Sequence, residues 1–220
     1  MKYCYPGINK VIDVEAGPFE LIIENQRLFV DVIDDIVHQI EGNDGQSTLS
    51  NKDKPLPLSK YAEVISTYVP FDINQKSLLA KLSNRLCSLA IDEDYYEKAI
   101  LLVNSVNKFL YDLSNTCEGS IEFSKCNIES IIKATSPCFN NDYASIEETL
   151  IDYFELVYCY DRNKVFFLVN LRSFLSDSQC TKFIDTVTRK GYQCIIIESL
   201  ERSTIVGLDR LIIDKDLCEI

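Results

Sequence analysis

One histidine, His38, occurs in 220 residues, and tryptophan is absent. A single imidazole cannot build a metal cage. Set beside Ile36 and Val37, it reads as a satisfied, partly buried side chain before it reads as a catalytic base. No GxSxG, HExxH, Walker or DxDx(D/N)G pattern is present, so the usual nucleophile, metalloprotease, phosphate-loop and calcium-loop signatures are missing. The acid pairs Asp34-Asp35 and Glu147-Glu148 are adjacent on predicted helices and point about 100° apart, as solvated faces do. The expectation is a protein without catalytic activity, with carboxylates paired from distant segments left open. No apolar run approaches the roughly 18 residues that a membrane-spanning helix requires, and MKYCYPGINK lacks the apolar core of a signal peptide; the expected location is cytoplasmic. Basic residues are also short: 22 against 34 acids, a formal net charge of −12. That balance opposes generic adhesion to nucleic acid or anionic membrane, so any DNA binding must use a local basic surface. The nine cysteines form no CxxC pair and are odd in number, as expected of small buried hydrophobes in a reducing compartment and of neither a disulfide framework nor a zinc site.

What is present is core material. Hydrophobic residues make up 46% of the chain, with 12 Tyr and 11 Phe, enough for a sizeable core in one domain or a domain with a large insertion. The organising stretch runs from Arg162 to Glu201. Lys164 to Asn170 is an unalternating apolar run, predicted as a strand buried on both faces. Ser176 and Gln179 form a capping box that starts a helix near Asp177. That helix carries Cys180, Phe183, Ile184 and Val187 on one stripe and stops at Gly191. A second buried strand follows, Gln193 to Ile197. Two strands joined by a crossover helix pair in parallel, so the fold class is α/β with a parallel-containing sheet.

The first third reads as more of the same sheet: strands at Lys10–Glu15 and Phe19–Glu24 around Gly17-Pro18, then a helix from Gln26 to Ile40 capped by Asn25. The turn Glu24-Asn25-Gln26 offers no glycine and no lysine to a phosphate. Residues 42 to 60 read as a loop, and Tyr61 to Tyr68 as another strand. From Phe71 the period becomes helical, with an Asp72/Gln75 capping box before a helix to Ala90. A longer helix is predicted from Asp92 to Asn115, with Ile100, Leu101, Val103, Val106, Leu110 and Leu113 inward. Helices from about Asn127 to Thr135 and from Ser145 follow. The layout expected is an α/β head from 1–69 and 157–220 with a helical leg inserted at 70–156.

The stretch YAEVISTYVPFDINQKSLLAKL, a strand leading through an FD-aliphatic-N turn into a helix, together with YCYDRNKVFFLVNLRSFLSDSQCTKFIDTVTRKGYQCIIIESL, resembles the CRISPR-associated Csn family of type II-A systems. The similarity is strongest in Tyr61–Leu82 and Tyr158–Leu200 and weak in the first fifty residues. The resemblance implies a head of degenerate P-loop-NTPase-like topology, a helical leg and a homotetrameric ring. It also implies double-stranded DNA ends threaded through the ring in support of spacer acquisition, other CRISPR adaptation proteins as partners, and no catalysis. For DNA the candidates are Lys76, Lys81 and Arg85 on the first leg helix, Lys98 and Lys108 on the second, and Lys182 and Arg189 on the organising helix. Each is weighed against the reading that it merely solubilises its helix. Four subunits each turning two or three of them to a shared hole would gather about eight to twelve cations on the phosphates, for sequence-independent, salt-dependent binding. The family also implies calcium held after the long leg helix, where Asp112, Glu118 and Glu122 are the acids available. Ser120, Phe123, Ser124 and Lys125 stand where further acids would be expected, and an exposed loop with ordinary charges is the other reading. Two alternatives from other classes are a phosphate- or nucleotide-handling α/β enzyme and a protein-interaction module built on the helical leg.

Overall fold

The computed structural model describes all 220 residues. In chain order the elements are β1 (Lys2–Cys4), β2 (Ile12–Asp13), β3 (Phe19–Ile23), α1 (Gln26–Ile40), β4 (Thr48–Asn51), β5 (Lys54–Leu56), α2 (Leu58–Tyr61) and β6 (Ala62–Ile65). They continue with α3 (Lys76–Ala90), α4 (Tyr96–Ser114), α5 (Ile128–Ala134), α6 (Ile146–Tyr160), β7 (Val165–Val169), a 3-10 turn at Leu171–Ser173, α7 (Asp177–Lys190), β8 (Gln193–Glu198) and β9 (Asp209–Ile213). They divide into two compact units, residues 1–71 with 142–220, and residues 72–141.

The first unit is built on a five-stranded sheet of order β6-β7-β8-β3-β9, parallel throughout. All five residues of β3 and all five of β7 are buried, which is why both read as unbroken apolar runs. Successive side chains serve opposite faces. Val165, Phe167, Ile195, Ile197, Leu21 and Ile23 pack with Val32 and Ile36 of α1. On the other face Phe166 stacks on Phe154 of α6, with centroids 3.7 Å apart and rings 5° from parallel. Cys180, Phe183, Ile184 and Val187 of α7 are all buried. The local punctuation of α7 is as its sequence predicts: the Ser176–Gln179 capping box forms and Gly191 ends the helix in the left-handed region, at φ 68°. Asn25 caps α1 by accepting from the Leu28 amide.

Several expectations are corrected. The first third is not a continuation of the parallel sheet, because β2-β1-β4-β5 form a separate antiparallel sheet. Its short strands bury alternate residues such as Tyr3 and Leu49, the pattern of a sheet with one dry face. Residues 42–60 are not a simple loop: β4 and β5 pair as a hairpin across Lys52-Asp53. Both turn residues lie at positive φ, 47° and 63°, a geometry ordinarily announced by Asn-Gly and here carried without glycine. The Asp72/Gln75 capping box does not form. Asp72 Oδ1 accepts from the Asn74 amide, and α3 begins at Lys76 with no side-chain cap. The second leg helix starts at Tyr96, not Asp92, and none of its residues is buried, so the stripe expected inward is half-exposed or exposed. The head–leg boundary expected at 156/157 falls at 141/142, since α6 presents Leu150, Tyr153, Phe154 and Val157 to the sheet unit as buried side chains.

The cysteines are unpaired, but only Cys180 and Cys194 are buried; Cys117, Cys138, Cys159 and Cys218 are exposed. Burial pushes the Cys180 thiol up to about 11 and the Cys194 thiol up to about 12. Both are inert small hydrophobes at neutral pH. No helix is long and apolar enough to cross a membrane.

Candidate nucleic-acid interface

The charges that could meet a polyanion are unevenly distributed over the helices. α6 carries four acids, Glu147, Glu148, Asp152 and Glu155, and no base. On α4, Lys98 and Lys108 are balanced by Glu97 and Asp112. On α7, Lys182, Arg189 and Lys190 stand against Asp177 and Asp185. α3 differs: its sequence KSLLAKLSNRLCSLA holds Lys76, Lys81 and Arg85 and no acid. In a chain with 12 surplus negative charges, this is the longest helical stretch of unopposed positive potential.

The seven candidates fall on two separate units, with Lys76, Lys81, Arg85, Lys98 and Lys108 in residues 72–141 and Lys182 and Arg189 in the sheet unit. None of the seven lies within 4.0 Å of a carboxylate. Lys81 and Arg85, four apart, share a helix face, whereas Lys76 is about 140° round from Lys81. Lys98 and Lys108 are about 80° apart, and Lys98 rests over the Tyr95 ring at 5.3 Å. Lys182 and Arg189 are seven apart and within about 20° of one another, with Asp185 between them on the same side. Within a single helix, the pair that shares a face with no acid on the helix is Lys81 with Arg85.

Asp112, Glu118 and Glu122 are all exposed, and no group of three or more His, Cys, Asp or Glu side chains that could hold a metal ion occurs in the chain. The acids named for calcium do not fit that ion within one chain, which wants several oxygens at short range. His38 is exposed, not partly buried. Asp35 is no mere solvated acid. It accepts from the amides of Gln46 and Ser47, at 2.6 and 2.8 Å, and from Gln39 Nε2 at 2.9 Å. Burial works against its charge, but these hydrogen bonds outweigh it and hold the carboxyl below its usual range. The turn after β3, where a phosphate loop would sit, is closed by Asn25 itself. Its oxygen caps α1 and its Nδ2 donates to the Lys215 carbonyl at 2.9 Å.

One group of charges corresponds to no motif in the sequence. Glu20 on β3, Glu198 at the end of β8 and Arg172 in the 3-10 turn are each at most 2% exposed. Arg172 Nη1 donates to Glu20 Oε1 at 2.9 Å, and its backbone amide donates to Glu198 Oε1 at 2.9 Å. Nη2 donates to Asp177 Oδ1, to the Ser203 carbonyl and to Ser203 Oγ. The available signal is an acid embedded in each of two apolar strands, FELII and QCIIIE, because an acid at such a position needs a partner.

A family model described as CRISPR-associated protein (Cas_Csn2) matches residues 39–217. The chain belongs to the Csn2 family. It is a CRISPR-associated protein, and the match takes in α3, the α3–α5 unit and the β7-α7-β8 block on which the sequence resemblance rests. It starts beyond β3 and most of α1, in keeping with the weak likeness of the first fifty residues. No curated protein sequence matches the chain. Among solved structures, the crystal structure of Stu0660 of Streptococcus thermophilus is similar in fold, with a TM-score of 0.62 at 15% identity. The likeness covers 91% of this chain and 69% of that one. Of the buried cluster, Arg172, Asp177, Glu198 and Ser203 lie inside the Csn2 match and Glu20 lies outside it.

Proposed function

We propose that this Csn2-family chain binds double-stranded DNA ends without reading sequence, as a homotetrameric ring, and supports spacer acquisition in a type II-A CRISPR system without catalysing a reaction. The observation that carries the reading is α3, a 15-residue helix with three basic side chains and no acid. Four copies of such a helix turned to one axis would supply about twelve cations against a polyanion, enough to reverse the local sign of an acidic protein. We further read the parallel sheet as a degenerate P-loop-NTPase-like topology. In support, β3 lies inside the sheet and runs directly into α1, while the turn between them is occupied by its own Asn25 and offers no cradle.

Assembly has its own support. The exposed side chains Leu102, Phe109 and Leu113 follow one another along α4. An apolar groove of about 480 Å³, lined among others by Leu86, Leu89, Leu102, Ile128 and Ile132, opens within residues 72–141. Exposed apolar surface of this kind marks an interaction site. The same face favours the second reading, a protein-interaction module, in which the occupant is a different protein.

Three measurements test the reading. In a gel shift on linear and closed-circular double-stranded DNA, the linear form is expected to shift and the closed circles to run free; equal shifts of both reject threading. Over a salt titration, Lys81→Ala with Arg85→Ala is expected to flatten the log-log slope by about 1 for each phosphate no longer neutralised. Lys182→Ala with Arg189→Ala is expected to do less, because Asp185 already offsets that face. An unchanged slope in the α3 variant removes α3 from the interface. On a sizing column, Leu102→Glu with Phe109→Glu is expected to shift the protein to a smaller species with its circular dichroism intact. Wild-type elution as a monomer at every concentration rejects the ring.

A further inference from the structure

Two buried carboxylates, Glu20 near the start of β3 and Glu198 at the carboxyl end of β8, lie against one buried guanidinium, that of Arg172. Glu20 pairs in register with Ile196 and Glu198 with Ile22, so both acids project from the same face of neighbouring strands, two positions apart. Arg172 can neutralise one of them. The second must then carry a proton or hold an uncompensated charge in a dry site. The hydrogen bonding is incomplete in a matching way. Glu20 Oε2 is a buried acceptor and Arg172 Nε a buried donor, both without a partner. A proton on one of the two carboxyls would add a donor to this site, and a second ionised carboxylate would add an acceptor.

The same guanidinium fastens a loop. Arg172 Nη2 donates to the Ser203 carbonyl at 2.7 Å and to its Oγ at 3.2 Å, and Ser203 Oγ donates to Asp177 Oδ2 at 2.7 Å. These bonds tie the β8–β9 connection, residues 199–208, to the first turn of α7. Within that connection Leu200 and Val206 are 61% and 89% exposed whereas Ile205 and Leu208 are buried, so apolar packing anchors its end and the Ser203 bonds hold the stretch that precedes Ile205.

We propose that Glu198 and Arg172 form a proton-operated latch on residues 199–208, closed while Glu198 is neutral and loosened when it ionises. On ionisation the proton leaves to solvent, and the new carboxylate draws the guanidinium through its unpartnered Nε, at the expense of Ser203. The other groups facing the pair are Tyr68, beside Glu198, and Cys180, beside Arg172 and both acids, with Cys194 next to Tyr68 and Cys180 in turn. Arg202 donates to Ser173 Oγ. Arg210, opposite Glu20 on β9, turns away to Glu201 and the Arg202 carbonyl. Burial raises the Glu198 carboxyl to about 7, with Glu20 adding to the rise and the Arg172 amide and the Arg202 and Arg172 charges opposing it. A carboxyl raised in the folded state favours folding least where it must ionise. The latch is therefore firm below neutrality and weakens as pH climbs through about 7.

The test is amide hydrogen exchange by mass spectrometry on the DNA-free protein at pH 6 and pH 8, corrected for intrinsic rates. Peptides covering 199–208 are expected to exchange at least about tenfold faster at pH 8, and Glu198→Gln, neutral at both values, to lose that step. Equal corrected rates in the wild type, or an unchanged step in E198Q, overturn the latch. Should E198Q not fold, a carboxyl titration of the wild type by ¹³C NMR decides instead. A glutamate titrating near 7 sustains the proposal, and all glutamates titrating below about 5.5 remove it. None of these readouts involves DNA, so the latch stands or falls apart from the ring.

Discussion

Arg172→Met is expected to destabilise the sheet unit by about 3–5 kcal/mol, the usual consequence of deleting one partner of a buried ion pair and stranding the other. Glu20, 1% exposed, would lose its ion-pair partner, and Glu198 one of the two cations, Arg202 and Arg172, whose charges favour its ionised form. With domains stable by about 5–15 kcal/mol, such a loss consumes much of the margin. The sign of its pH dependence follows from the same charges. Without Arg172 one of the charges opposing the raised Glu198 carboxyl is gone, so that carboxyl rises further and the variant recovers stability as pH falls and Glu198 takes up its proton. Urea denaturation followed by circular dichroism at pH 5.5 and 8 measures this. A loss under about 1 kcal/mol at pH 8 would mean that the cluster is hydrated and the burial argument wrong. Arg172→Met combined with Glu20→Leu is expected to regain much of the loss, because apolar replacement of a whole buried pair is often neutral.

Phe154→Ala is expected to cost about 3–5 kcal/mol, through the apolar area no longer buried and the cavity left behind. The ring is fully buried, stacked on Phe166, and meets Phe183 and Tyr192 edge-on at 5.9 and 6.0 Å. The same urea titration reads it, with Phe109→Ala as the control. Phe109 is 61% exposed, and its truncation should stay within about 0.5 kcal/mol in the unassembled chain. The comparison also tests the position of the unit boundary. If α6 belonged to the helical leg, Phe154→Ala would leave the sheet unit's transition unmoved.

The elements legible beforehand are those whose cause is local. The Ser176–Gln179 box and Gly191 delimit α7 through bonds made within a few residues, and Asn25 does the same for α1. The β7 and β8 runs declare their burial because a strand covered on both faces has no polar side to show. Family membership is legible for a related reason, since its aliphatic patterns record which faces are buried. Where the local signal is weak or misleading, the sequence misleads too. Lys52-Asp53 makes a hairpin turn without glycine, so β4 and β5 pass for a loop. Asp72 and Gln75 have the spacing of a capping box but spend their side chains on the preceding turn.

The candidate site divides along the same line. That α3 carries basic residues and no acid is written in its fifteen letters. Asp185 between Lys182 and Arg189 is equally visible, and it lowers the worth of that pair. Arg172 offers no such clue, because an arginine between Leu171 and Ser173 looks like any surface cation.

By itself, the order of residues determined most of the helices and strands, the parallel pairing around α7, the shortage of catalytic motifs and the kinship with Csn2 proteins, since each follows from spacing, capping or composition within a short span. Only the tertiary structure decided that α6 packs on the sheet, that α4 keeps no side chain buried, and that Glu20, Arg172 and Glu198 meet. The reason is distance along the chain: Glu20 and Arg172 are 152 positions apart, and whether a charge is hydrated or paired depends on neighbours that only folding supplies.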